Sequence, residues 1–180
     1  LVIAVVLSAQ TTDKKVNQIT PKLFEKYPSW ESLASADLSD VRKIIKGVNF
    51  YKGKAERLIS AGRVVTSDFE GVLPRKMEDL MKIPGVARKS ANVIMQELWG
   101  VAEGIVVDTH VKRVSGRLGL TKEHDPGKIE KDLMQIIPKR NWRNFSGAMV
   151  LHGRYVCTAR KPKCEDCPLN IICPSAFREE

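Results

Sequence analysis

Cysteine is missing from most of this chain. None occurs in the first 156 of its 180 residues, and all four lie between Cys157 and Cys173. A disulfide framework ties distant segments together and needs its cysteines spread, so that class of protein is excluded. Long apolar runs are also missing. Nothing in the sequence approaches the ~20 consecutive apolar residues that cross a bilayer. The opening stretch, Leu1 to Leu7, is too short to span and has no basic region before it, so it does not read as a signal peptide. The initiator methionine is absent and the chain opens inside an apolar pattern. The expectation is an N-terminally truncated fragment whose first helix is already under way. Strict apolar–polar alternation is scarce, which argues against a sheet protein. Repeats and low-complexity tracts are lacking. Acidic side chains are sparse in one region: residues 128–163 hold nine basic and two acidic residues, +7 of the net +9. A basic concentration of this kind suits a polyanion partner, most simply nucleic acid, although a solvated charged face gives the same count.

What remains is an ordinary globular composition, 43% hydrophobic and 28% charged. A chain of this length buries roughly 70% of its unfolded surface and can hold a core without covalent staples. Apolar residues recur at three and four spacing, so the expected fold class is all-α. Helices are predicted over 13–27, with Pro21 kinking or splitting the segment, and over 41–46, 51–65, 76–83 and 89–99. Further helices are predicted over 109–118, after Asp108 as N-cap, and over 126–137, after Asp125-Pro126. Residues 142–155 form the last long helix, and the tail from Cys157 reads as loop. Ile105, Val106 and Val107 read as one short extended stretch. The domain boundary is expected in the loop from Gly100 to Gly104, giving units 1–102 and 103–180.

The cysteines have the spacing C-x6-C-x2-C-x5-C at Cys157, Cys164, Cys167 and Cys173. Clustered thiolates indicate a metal or iron–sulfur centre in a reducing intracellular setting. A zinc ribbon uses two close pairs separated by a longer stretch, and no second close pair is present. One loop presenting four sulfurs fits a cubane [4Fe–4S] cluster better. Arg160, Lys161 and Lys163 would offset the cluster's negative charge, or be offered by it to phosphates.

Three further features carry chemistry. The turn Ile83-Pro84-Gly85-Val86-Ala87 joins two helical segments and turns backbone amides toward a helix start, an anion site suited to a DNA phosphate. Ordinary helical hairpins use the same turn. Lys89 falls in the first turn of the following helix, against the positive end of its dipole. That is a poor place for a structural cation and a good one for an amine that must attack in its neutral form. Asp108 opens a helix after the buried run Val106-Val107. It is a natural cap there, and it could equally stabilise developing positive charge or handle a proton. His110 could act as a base or be a satisfied structural group.

These residues, in this order, resemble the endonuclease III family of helix-hairpin-helix DNA glycosylases. The resemblance rests on Leu7-Ser8-Ala9-Gln10, Ile83 through Lys89, Val107-Asp108-Thr109-His110, Leu151-His152-Gly153-Arg154 and the cysteine tail, and covers nearly the whole chain. It implies a bilobal helical fold: a six-helix domain over 1–102 carrying the hairpin, and an iron–sulfur domain over 103–180. DNA would bind across the cleft between them. It implies a bifunctional N-glycosylase and abasic-site lyase, working by β-elimination on oxidised pyrimidines in damaged double-stranded DNA. By matched position, Lys89 is the nucleophile and Asp108 the essential carboxylate. Cys157, Cys164, Cys167 and Cys173 hold a [4Fe–4S] cluster. Gln10 fills the hole left by a flipped nucleotide, and Pro84, Gly85, Val86, Ala87 and Arg88 form the DNA-binding hairpin. The expected setting is a cytoplasmic, nucleoid-associated monomer without a membrane partner. Two positions depart from the family pattern. Ala87 replaces a second glycine, at a cost of about 1 kcal/mol if the backbone there needs positive φ. Phe50 after Asn49 replaces leucine after glycine as the second wedge. The rival readings are a mismatch-specific glycosylase of the same superfamily, whose members generally lack the lysine, and a non-catalytic iron–sulfur DNA-binding protein.

Overall fold

The computed structural model describes residues 1–177, so the last three residues of the expected 103–180 unit lie outside the described residues. Among the described residues all regular structure is helical. The chain divides into two compact units, Leu1–Trp99 and Gly100–Glu180.

The first unit carries α1 (Val2–Ser8), α2 (Asp13–Lys26), α3 (Trp30–Ala34), α4 (Leu38–Ile44), α5 (Tyr51–Asp68), α6 (Met77–Leu80) and α7 (Arg88–Trp99). That is seven helices where six were expected. The additional one, α3, has only five residues and no room for an apolar period. It is set instead by a capping box in which the Ser29 hydroxyl accepts from the Ser32 amide and the Ser32 hydroxyl accepts from the Ser29 amide. Pro21 does not split α2, since the helix runs unbroken from Asp13 to Lys26. Asp37 caps α4 by accepting the Asp40 amide. Leu7, Leu23, Leu33, Leu58, Leu80 and Ile83 are fully buried together in this unit's core. Truncating any such leucine to alanine costs about 2–5 kcal/mol.

The second unit is built on α8 (Thr109–Arg117), α9 (Pro126–Ile136) and α10 (Trp142–Tyr155), the last entered through a 3-10 turn at Lys139–Asn141. Asp125 caps α9 by accepting the Lys128 amide, with Pro126 as its first residue. Ile105 and Val107 are not part of a strand; they run as irregular buried chain into a second core with Val111, Val114, Ile129 and Leu133. A lone extended segment has no partner for its amides. Here the Val106 amide donates to the Ser146 hydroxyl of α10 at 3.0 Å instead. Helices α8 and α10 approach closely at Gly153, where a Cβ would stand 2.9 Å from that of His110.

Candidate functional site

The hairpin between α6 and α7 is fixed from both sides. Ile83 and Val86 are buried in the first core. The Val86 amide donates to the Ile83 carbonyl at 3.0 Å, closing a turn with Pro84 second and Gly85 third. A type II turn has that arrangement and needs positive φ at its third residue. Gly85 has φ +91°, and a Cβ on it would come within 2.9 Å of the Val6 side chain. Glycine is therefore required both by conformation and by space. Ala87 is not among the residues with positive φ. Its substitution for a second glycine carries no left-handed strain, and the feared cost does not arise. Ala87 is instead where the helix begins: its carbonyl accepts the Ala91 amide at 2.9 Å. Arg88 and Lys89 occupy the first turn of α7, both exposed.

In the second unit Asp108 is the N-cap of α8. It accepts the amides of His110 and Val111, each at 2.8 Å, and both bonds fall on Oδ1. The cap uses one carboxylate oxygen, and Oδ2 takes no hydrogen bond among the described residues. The capping role and a chemical role are thus compatible in one side chain. His110 Nδ1 lies 3.2 Å from Arg113 Nη2. The same Arg113 nitrogen also faces the carbonyls of Gly153 and Cys157, at 2.8 and 3.0 Å.

Gln10 and Phe50 belong to the first unit, and the structure brings their loops together. The side-chain amide of Asn49 donates to the Gln10 carbonyl at 2.6 Å, and the Asn49 backbone amide donates to the Thr11 hydroxyl at 3.3 Å. Both residues are left-handed, Gln10 at φ 54° and Phe50 at φ 57°. Such a conformation is uncommon for glutamine and an outlier for a bulky residue. Phe50 is 71% exposed, so its ring does not pack in the core.

The four cysteines are half-buried free thiols that line one cavity of about 1030 Å³. Among the described residues no three His, Cys, Asp or Glu side chains are grouped tightly enough to share a metal ion. A tetrahedral zinc needs its sulfurs about 2.3 Å from a single point. A cubane gives each thiolate its own iron, so its four ligands converge on a cube and not on a single atom. Four thiols lining one cavity suit a cubane, in which each would bind its own iron.

Two arginines, not expected from sequence, grip this loop from α8. Arg117 Nη1 donates to Cys157 Sγ at 3.4 Å and to the Thr158 carbonyl at 2.8 Å, and Nη2 donates to the Ala159 carbonyl at 3.0 Å. The Cys173 thiol in turn lies 3.5 Å from the Arg117 carbonyl. Arg113 Nη2 donates to the carbonyls of Gly153 at 2.8 Å and Cys157 at 3.0 Å. Their i, i+4 spacing on one helical face was the available signal. The cation bonded to a cluster ligand is therefore Arg117, whereas Arg160, Lys161 and Lys163 are exposed.

The helical hairpin, the capped aspartate and the thiol loop together define a class, the helix-hairpin-helix base-excision proteins. Residues 3–139 match the family described as HhH-GPD superfamily base excision DNA repair protein, and residues 157–173 match the iron-sulfur binding domain of endonuclease III. Endonuclease III of Synechocystis sp. is 48% identical over 176 residues, 98% of this chain and 80% of the relative. A solved structure of a trapped endonuclease III–DNA covalent intermediate superposes with TM-score 0.90 at 41% identity, covering 97% of this chain and 82% of that one. A thermostable thymine-DNA glycosylase superposes with TM-score 0.84 at 27% identity, covering 97% and 83%. The chain belongs to the endonuclease III family of the HhH-GPD superfamily. It is a DNA glycosylase and abasic-site lyase of base excision repair, with a [4Fe–4S] centre at its C-terminal cysteines.

Proposed function

We propose that this chain removes oxidised pyrimidines from duplex DNA and then cuts the strand at the abasic sugar, with Lys89 as nucleophile and Asp108 as the carboxylate. The observation that carries the reading is Lys89 itself, an exposed amine in the first turn of α7, four residues beyond the Gly85 turn. Binding alone needs no amine there, and the mismatch-specific relatives that resemble this chain generally do without it. The solved relative trapped as a covalent DNA intermediate supports the same chemistry.

The target base is out of reach inside the stack. It must be extruded, at a cost of a few kcal/mol. The hairpin positions the backbone without reading sequence. The Val86 amide is already committed to its turn, which leaves the amides of Gly85 and Ala87 for phosphate oxygens. Gln10 and Phe50 enter the vacated space, the amide by pairing with the orphaned base and the ring by wedging.

As the base departs with the glycosidic electron pair, positive charge develops on the sugar. Asp108 Oδ2 stabilises it, and the carboxylate takes up the proton that Lys89 loses. The Lys89 amine forms a bond to C1′, and the proton taken up by Asp108 passes to the ring oxygen as the C1′–O4′ bond breaks, leaving an iminium. The iminium acidifies the C2′ proton. Loss of that proton expels the 3′ phosphate by β-elimination, and water releases the sugar fragment from Lys89. When bound, the cluster supplies four iron–thiolate bonds that fix the tail. Cys157, Cys164, Cys167 and Cys173 would hold it, and Arg117 would offset its charge.

No described helix is long and apolar enough to cross a membrane. The reading adds a monomer acting on nucleoid DNA in the cytoplasm. It is tested by incubating the protein with duplexes carrying single oxidised pyrimidines, a mismatched thymine or a mismatched adenine. Base release and strand scission together on the oxidised pyrimidines are expected. Release of thymine or adenine without scission would favour the mismatch-specific reading.

A further inference from the structure

Lys54 is a cation in an unusual place. It belongs to the first turn of α5, yet its side chain is only 3% exposed. Its ammonium donates to the Leu7 carbonyl at 2.7 Å, the Ala9 carbonyl at 2.6 Å and the Thr11 hydroxyl at 3.0 Å. An ammonium has three donors, so all are used. No carboxylate is among its described partners. Burial pushes its affinity for the proton down, and the neighbouring positive charge of Arg57 adds to this. Holding a charge on three neutral oxygens is costly, and a lysine placed only to fill space would leave the ammonium in water.

The three acceptors bracket one residue. Leu7, Ala9 and Thr11 lie before and after Gln10, whose φ of 54° is strained for a non-glycine residue. The chain leaves α1 at Ser8, passes through Ala9 and turns left-handed at Gln10. The same Thr11 hydroxyl accepts the Asn49 amide, and Asn49 holds the Gln10 carbonyl. Asn49 is followed by Phe50, also left-handed, and then by the helix that bears Lys54. One buried ammonium thereby organises both exposed side chains that the proposed function puts into the duplex.

We propose that Lys54 is a positioning residue for nucleotide flipping: through the carbonyls of Leu7 and Ala9 and the Thr11 hydroxyl it holds Gln10, with Phe50 beside it, in the shape that enters the duplex before DNA arrives. This rests on the reading of Gln10 and Phe50 as the inserted pair. Pre-ordering matters because a loop fixed in its bound conformation does not lose that freedom on binding. The competing account is that Lys54 merely caps the carbonyl end of α1 and stabilises the fold.

The test uses the cluster-loaded protein and two substrates, a duplex with an intact oxidised pyrimidine and the same duplex with a preformed abasic site. Lys54→Met keeps the bulk of the stem and removes the donors. Base removal should slow by roughly tenfold or more, the scale expected on losing hydrogen bonds to a charged group, while abasic-site cleavage changes by less than about threefold. Thr11→Val, a milder change that keeps the lysine buried, should show the same split at smaller size and serves if Lys54→Met does not fold. In a Gln10→Ala background, Lys54→Met should cost clearly less than it does alone, because residues acting as a unit are not additive and only the Phe50 share remains. Equal losses on both substrates, tracking a fall in melting temperature, would make Lys54 a structural cap and overturn the proposal; so would additive losses in the double variant. If Gln10→Ala slows base removal selectively and neither Lys54→Met nor Thr11→Val does, the proposal fails alone. If Gln10→Ala changes neither activity, the insertion reading on which it rests has failed.

Discussion

Asp108 accepts the Val111 amide at 2.8 Å on Oδ1, the oxygen that also takes the His110 amide. The cap occupies one oxygen of the carboxylate and leaves Oδ2 for the chemistry proposed for it. Asp108→Asn separates them, because asparagine keeps a capping oxygen and replaces the other with an amide. Asparagine is nearly as good a cap as aspartate, so melting should shift little. Single-turnover base removal should fall by about 10²-fold or more, the scale of a lost charge-stabilising group. A variant that melts normally and excises at the wild-type rate would leave Asp108 as a cap alone.

Metal analysis addresses the thiol loop. Protein prepared anaerobically with ample iron should be brown and carry about four irons per chain. Stoichiometric zinc in place of iron would contradict the cluster. Serine at any one of Cys157, Cys164, Cys167 or Cys173 should lower iron content and expose the tail to protease. The described tail has no regular secondary structure to hold it without the cluster.

Binding to undamaged duplex should weaken steeply with salt, with a log–log slope near −0.9 per phosphate neutralised. Lys161 and Lys163 are exposed on a loop held in shape by the Thr158 hydroxyl, which donates to the Lys161 carbonyl at 2.5 Å, and by the Lys163 amide, which donates to the Val156 carbonyl at 3.0 Å. Replacing both lysines with glutamate should flatten the slope by up to about two. An unchanged slope would turn this face away from DNA.

Phe50→Ala removes an exposed ring, so the melting temperature should hold. Affinity for damaged duplex should drop by roughly five- to tenfold, as for the loss of a wedging or stacking contact, and single-strand binding should barely change. Equal affinity for damaged duplex before and after the change would take Phe50 out of the interface.

Local chemistry was the legible part of this sequence. Asp108 and Asp125 signal helix starts because a cap is satisfied within three residues, and both accept amides of the following turn. The cysteine spacing was equally local. Relations across long separations were not legible: Lys54 meets Leu7 from 47 residues away, and Arg117 meets Cys157 from 40. Nothing in the composition around Lys54 distinguishes it from the exposed lysines at 46 and 52. Ile105 to Val107 reads as a short extended stretch because burial, not pairing, selects its β-branched residues. Phe50 is read as a wedge only through its place after Asn49, and its exposure goes with a left-handed backbone that sequence does not announce.

The central claim is that Lys89 becomes covalently joined to the sugar. The direct measurement is borohydride reduction of the protein on an abasic-site duplex, followed by peptide mapping of the adduct. The account predicts a stable protein–DNA adduct whose DNA remnant maps to Lys89. It also predicts that Lys89→Gln abolishes the adduct while duplex affinity stays within about threefold of wild type, since one exposed cation contributes little to binding. A wild-type yield of adduct from Lys89→Gln, or a remnant mapped to another amine, would contradict it.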